Sequence, residues 1–272
     1  MPDTDKAARE LLAFYLEAGA DAPVGETPVD WFADDAAAPP PAAPRPETPP
    51  SATLPLKGGA SQTVPAAAAP PPPDAAATAA RDAVQAIATL EALRAALDAF
   101  EGCALKGTAT QLVFADGNPQ ARLMFVGEAP GRDEDIEGLP FVGRSGKLLD
   151  RMLAAIGLDR TSVYIANIVP WRPPGNRTPT PQESQICLPF IQRQIQLADP
   201  DILVCLGGPS AQTLLGIRDG ITKTRGRWFA YDTGKREIRA MATFHPAFLL
   251  RSPLQKRFVW RDFLAIKKAL AG

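Results

Sequence analysis

Histidine is almost missing from this 272-residue chain, which holds one, His245. Cysteine is nearly as scarce: Cys103, Cys187 and Cys205 are the full set, and no two stand at CxxC spacing. Three thiols cannot build a disulfide framework, and a single imidazole beside scattered thiols argues against a mononuclear zinc site of the usual Cys/His kind. No apolar run approaches the roughly eighteen residues of a transmembrane helix. The opening MPDTDKAARELLAFYLEAG has acids where a secretory signal has a basic start and an apolar centre, and those acids also argue against an import peptide. The expectation is a cytoplasmic protein with no membrane contact.

Charge and proline are both present, and both are unevenly spread. The first 100 residues carry 6 basic and 14 acidic side chains, whereas residues 101–272 carry 23 basic and 16 acidic. A basic half-chain suits a polyanionic partner, although a merely solvated basic surface would look the same. Residues 39–73 contain 13 prolines and 8 alanines. Proline donates no backbone hydrogen bond and restricts its neighbour, so this stretch reads as an extended, disordered Pro/Ala-rich linker. Before it, residues 5–18 read as a short amphipathic helix with Leu11, Leu12, Tyr15 and Leu16 on one face. That helix is a candidate contact for a protein partner, or else a loosely held terminal helix. The division expected is 1–20 helix, 21–74 linker and 75–272 folded domain.

Residues 74–100 are rich in Ala, Leu, Glu and Arg and predict one long helix opening that domain. Beyond it, strands and helices alternate. Strands are predicted at 122–127, 162–168, 201–206 and 238–243, and helices at 146–156, 180–197, 209–215 and 255–270. The helix after Thr180 has a full start signal: Thr180 as cap, Pro181 first in the helix and Glu183 three residues after the cap. Alternation of this kind predicts an α/β fold, a mostly parallel sheet with helices on both faces. Ligands of such sheets bind beyond the carboxyl ends of the strands, so the loops after Gly127, Asn167, Leu206 and Thr243 should converge.

Three of those loops carry chemistry. The first runs Gly127-Glu128-Ala129-Pro130-Gly131 and continues to Gly138-Leu139-Pro140-Phe141-Val142-Gly143-Arg144-Ser145-Gly146. Its glycines admit close backbone approach, and Glu128 is placed for water or proton handling, or equally for capping a turn. In the second, Asn167 ends a strand and can read a planar ligand's edge, while Arg172 and Arg177 can meet phosphates. The third is Phe244-His245-Pro246-Ala247-Phe248-Leu249-Leu250-Arg251. A lone histidine is often structural, and the leucines could simply open a helix; an apolar wedge beside a phosphate contact is the functional alternative.

Taken in series, GEAPG, GLPFVGRSG, NIVPWRPPGNRTPTP and HPAFLLR resemble the motifs of the family 4 uracil-DNA glycosylases, in order and spacing across about residues 100–270. The resemblance implies a three-layer α/β/α domain with a central four-stranded, mostly parallel sheet. It also implies excision of uracil, alone or together with other deaminated bases, from DNA by a monomer that leaves the strand uncut. On that reading Phe141 stacks on the extruded base above Gly127, and Asn167 reads the uracil edge. Glu128, with Asn176, handles the attacking water, and His245 stabilises charge on the uracil oxygen. Arg172, Arg177 and the segment Leu249-Leu250-Arg251 contact DNA. Such proteins usually hold a four-iron, four-sulfur cluster on four cysteines. Here Cys103 and Cys187 match two of those positions, while Phe100 and Trp171 stand at the others. Two thiolates cannot supply the cluster, so no metal or cofactor is expected and apolar packing should fill the space, with Cys205 as a small core residue.

Two rival readings are a non-catalytic DNA-binding relative and a nucleotide hydrolase. Retention of Glu128, Phe141, Asn167 and His245 together argues against the first. Against the second, Gly138–Ser145 approximates a phosphate-binding loop, but Arg144 stands where lysine is required and no strand leads directly into it.

Overall fold

Strand β2, Leu123–Gly127, is buried at every position, as are β3, Tyr164–Asn167, and β4, Ile202–Leu206. A run that is apolar throughout suits a strand covered on both faces. Alternate side chains go to opposite layers: Met124 and Val126 join one cluster, Leu123 and Phe125 the other. The same split sends Leu203 and Cys205 one way and Ile202, Val204 and Leu206 the other. The computed structural model describes residues 73–271. The expected helix at 1–20 lies outside those residues, as does the expected linker at 21–74 apart from its last two positions. Pro73 and Asp74 already belong to the first helix, where a proline in the opening turn loses nothing.

The sheet has the order β1-β3-β2-β4-β6-β5. Its four inner strands, completed by β6 (Glu237–Thr243), are parallel and match the four expected. Two antiparallel edges were not expected. β1 is only Asp116–Gly117, and β5, Trp228–Asp232, folds back on β6. β5 is mostly exposed, with Tyr231 buried and Trp228 open to solvent, so it lacks the apolar run that marks an inner strand.

The long helix expected over 74–100 is two helices, α1 (Pro73–Gln85) and α2 (Leu90–Ala99). The Thr89 hydroxyl accepts the Ala92 N–H at 3.1 Å and so starts a new helix. The Ile87 carbonyl, released by the break, is captured by Arg193 Nε at 2.8 Å. Arg193 belongs to α5 (Pro181–Ala198), against which both α1 and α2 pack. The start of α5 is as expected: Glu183 N–H donates to Thr180 Oγ1 at 3.2 Å, and Thr180 N–H donates to Glu183 Oε2 at 2.7 Å.

Between β2 and β3 lie a short α3 (Arg132–Glu137) and α4 (Arg144–Ala155). α6 (Gly208–Leu215) and α7 (Ile221–Thr224) follow β4, and α8 (Pro246–Arg251) and α9 (Lys256–Ala271) follow β6. Helices α4 and α9 cover one face of the sheet through Leu149, Leu153, Val259, Phe263 and Ile266. α5, with Ile186, Phe190, Ile191 and Ile195, covers the other. Among the described residues no helix is long and apolar enough to cross a membrane.

Candidate active site

Gly127 and Asn167 are register partners at the ends of β2 and β3. The pairing continues past the strands: Ile168 N–H donates to Gly127 O at 3.0 Å and Val169 N–H to Glu128 O at 3.0 Å. Glu128 and Asn167 are therefore delivered side by side. On the other flank Gly207 N–H donates to Thr243 O at 2.8 Å, which brings the start of α8 beside the end of β4. A cavity of about 560 Å³ opens at this edge, lined by residues from all four strand-end loops. Glu128, Phe141, Asn167, Asn176, Arg177, His245 and Arg251 all face it.

Phe141 sits with φ at 56°, in the left-handed region. For an L-residue that conformation costs about 1–2 kcal/mol, and such strain persists at functional sites when the surroundings over-determine it. The ring is buried, with its centroid 5.4 Å from that of His245. The floor is close-fitting: a Cβ on Gly127 would lie 2.4 Å from Asn167 Oδ1 and 2.6 Å from Phe141 Cζ.

Two buried oxygens at the cavity, Glu128 Oε1 and Asn167 Oδ1, have no hydrogen-bond partner among the described residues. A buried acceptor left unpaired costs about 1–3 kcal/mol, so each can take a hydrogen bond from a water or a ligand donor. Burial raises the Glu128 carboxyl above its ordinary value, with the Thr178 hydroxyl beside it working the other way.

His245 caps α8: its Nδ1 accepts the Ala247 N–H at 3.1 Å. An accepting Nδ1 leaves the proton on Nε2, so the ring is a neutral donor through that atom. Burial, helped by the Arg251 charge, pushes the imidazole down to about 4, which keeps it neutral at pH 7.

One other expected contact needs revision. Leu249 is fully buried in the core formed with Leu153, Val259 and Phe263, so it is no wedge. One turn of α8 must face the sheet, and Leu249 is on that side; Leu250 is the exposed member of the pair. Leu250 and Arg251 border a second hollow of about 460 Å³, next to the cavity, with Arg132 and Arg144 across it. Arg172 and Arg177, expected on phosphates, are engaged within the chain. Arg172 Nε donates to Asn176 Oδ1 at 2.6 Å and its guanidinium lies 3.8 Å from buried Asp135. Arg177 makes a two-pronged pair with Glu183 at 2.8 and 2.6 Å. Arg172 therefore braces Asn176.

Glu134 was not singled out from the sequence. Its buried carboxylate accepts the Gly131 N–H at 3.1 Å and the Gly143 N–H at 3.0 Å, tying together the two glycine loops at the cavity wall. An acid three residues after Gly131 is the helix-start spacing that could have revealed it.

The residues at the cluster positions do not fit a four-thiolate group. Cys187 Sγ approaches Cys103 Sγ at 4.0 Å, and Trp171 is buried in the same apolar cluster as both thiols. Phe100 packs against that cluster, edge-on to Phe190 at 5.0 Å. No third His, Cys, Asp or Glu joins the pair among the described residues. Cys205 is fully buried in the sheet.

Comparison with known proteins agrees with this architecture. The family model described as the uracil DNA glycosylase superfamily matches residues 114–264. The type-4 uracil-DNA glycosylase of Archaeoglobus fulgidus is 42% identical over 168 residues, 60% of this chain and 84% of the relative. That of Thermotoga maritima is 44% identical over 151 residues, 55% of this chain and 77% of the relative. That of Sulfurisphaera tokodaii is 39% identical over 185 residues, 66% of this chain and 84% of the relative. With the fold, the strand-end cavity and these similarities together, the chain belongs to the uracil DNA glycosylase superfamily, in its type-4 branch.

Proposed function

We propose that this protein is a DNA repair glycosylase that turns uracil out of DNA, hydrolyses its N-glycosidic bond and leaves an abasic site. The observation that carries this reading is the one cavity shared by Glu128, Phe141, Asn167 and His245. A base inside the stack cannot be reached, so it must be extruded, at a cost of a few kcal/mol, into a site that binds its face and edge.

Phe141 offers the face. Asn167 Oδ1 takes the N3–H of uracil, where cytosine would present a lone pair against a lone pair. Sites that depend on such a bond reject the analogue lacking it by about 10⁴-fold or more. As the bond breaks, negative charge grows on the uracil ring. A neutral Nε2–H of His245 aimed at the ring oxygen stabilises that charge without the desolvation cost of an imidazolium. Glu128, as carboxylate, orients the water that attacks the sugar carbon and faces the positive charge developing there. The side chain of Asn176, held by Arg172, assists with that water. Among the described residues none lining the cavity is a lysine, which favours a monofunctional enzyme that does not open the sugar or cut the strand.

Arg251, Arg132 and Arg144 supply phosphate contacts along the adjoining hollow, and Leu250 fills the gap left in the duplex. The enzyme works as a cytoplasmic monomer without an iron–sulfur cluster, with Phe100 and Trp171 doing the bracing by packing. The segment before residue 73 recruits a protein partner, which pull-downs before and after its removal would test.

The direct test uses single- and double-stranded oligonucleotides carrying one uracil. Incubation followed by hot alkali should break the strand at that position, and no earlier than the alkali step. Strands that stay intact with excess enzyme would rule out the activity and favour a non-catalytic DNA-binding relative. A parallel set carrying deaminated purines measures the range.

A further inference from the structure

The residue that shapes the base platform lies outside the cavity. Arg160 opens a short 3₁₀ turn, Arg160–Ser162, just before β3. All three guanidinium nitrogens are used. Nη1 donates to the Pro140 carbonyl at 3.1 Å and Nη2 donates to the Phe141 carbonyl. Nε donates to Asp150 Oδ1 of α4 at 2.8 Å, and Nη1 also pairs with Asp116 of β1. One side chain thus joins the edge strand, α4 and two consecutive carbonyls of the glycine loop.

Those two carbonyls flank the strained residue. Phe141 is left-handed at φ 56°, which places its ring against the cavity while its carbonyl turns the other way. That carbonyl is also pressed onto the first turn of α4: a Cβ on Gly146 would lie 1.6 Å from Phe141 O, so only glycine leaves room. A bulky residue holds such a backbone only where its surroundings impose it. We infer that Arg160 is a positioning residue: its planar fork locks the Pro140–Phe141 backbone so that the Phe141 ring stays fixed as the surface on which the extruded base stacks. The two aspartates hold the fork in plane. A lysine carries the charge but cannot address two neighbouring carbonyls and a carboxylate in fixed directions.

This inference rests on the glycosylase reading for its consequence but not for its geometry, and a double-mutant cycle separates the two. Single-turnover excision of uracil from duplex DNA is measured for the parent, Arg160→Lys, Phe141→Ala and the double variant. Arg160→Lys should lower the rate about tenfold or more. In the Phe141→Ala background the same change should alter it by less than about twofold, because the ring it positions is gone. A merely structural Arg160 would give the same fractional loss in both backgrounds, and that result overturns the inference, as does an unchanged rate for Arg160→Lys. If Arg160→Lys does not fold, Asp150→Asn loosens one anchor and must show the same dependence on Phe141 with a smaller loss. If the parent excises no uracil, the glycosylase reading fails. The strut is then judged by hydrogen exchange of amides 138–146, which must quicken in Arg160→Lys; unchanged exchange overturns it.

Discussion

Replacing Gly127 by alanine adds one carbon at the most confined point of the cavity floor. That carbon would stand 2.4 Å from Asn167 Oδ1 and 2.6 Å from Phe141 Cζ, where ordinary contact begins near 3.4 Å. One of the two must retreat by about 1 Å, as the gap between those distances requires. Neither is the loose end of a mobile chain. Asn167 ends a fully buried strand, and Phe141 is buried in a strained backbone with its carbonyl held from behind. Overpacking of this kind costs about 1–3 kcal/mol, which leaves the domain folded with a melting temperature lower by several degrees. Catalysis suffers more, because a displacement near 1 Å in a positioned group costs about a hundredfold. The expected result is a loss of that size in single-turnover excision of uracil from a labelled duplex. Gly107→Ala is the control, since a Cβ there meets nothing within 4 Å. Turnover by Gly127→Ala within threefold of the parent would refute the fit deduced for the cavity floor.

His245→Ala should lower excision about a hundredfold or more, the usual effect of losing a donor to a developing oxyanion, and wild-type turnover by that variant would remove His245 from the mechanism. The acid limb of the activity profile should belong to Glu128, raised by burial, because His245 takes its proton only near pH 4; in Glu128→Gln the residual rate should lose that limb. Stability should also depend on pH through His245. Its folded value of about 4 lies below the ordinary 6.5, so its contribution is complete above pH 6.5 and is lost as pH falls toward 4. At most about 3 kcal/mol is involved, and denaturant titrations of His245→Gln should show a shallower slope over that window. Leu249→Ala should destabilise the fold by about 2–5 kcal/mol, whereas Leu250→Ala should leave stability nearly unchanged and slow excision from duplex more than from single strands. Purified protein should show no absorbance band near 400 nm and no stoichiometric iron, and either signal would revive the cluster that Phe100 and Trp171 argue against.

Much of this protein can be read without coordinates, because local physics repeats along the chain. Uninterrupted apolar runs at Leu123–Val126 and Ile202–Leu206 must be covered on both faces, which requires a parallel sheet between helix layers. Thr180, Pro181 and Glu183 announce a helix start through bonds made within four residues. Parallel strands also bring their carboxyl ends to one edge, so Glu128, Asn167 and His245 could be assigned to one site from their places after strands.

What the sequence left open depended on contacts between distant segments. Leu249 and Leu250 are chemically equal neighbours, and only the docking of α8 on the sheet decides which is core and which is exposed. The break between α1 and α2 answers to Thr89 and to Arg193, the latter more than a hundred residues away. Arg172 looks like a phosphate ligand until Asn176 and Asp135 are seen to hold it, and Arg160 looks like a surface cation until the Pro140 and Phe141 carbonyls converge on it. An arginine carries its charge in every fold. Which acceptors complete its fork is a property of the folded arrangement, because hydrogen bonds need partners at about 3 Å, and only the tertiary structure brings those partners within reach.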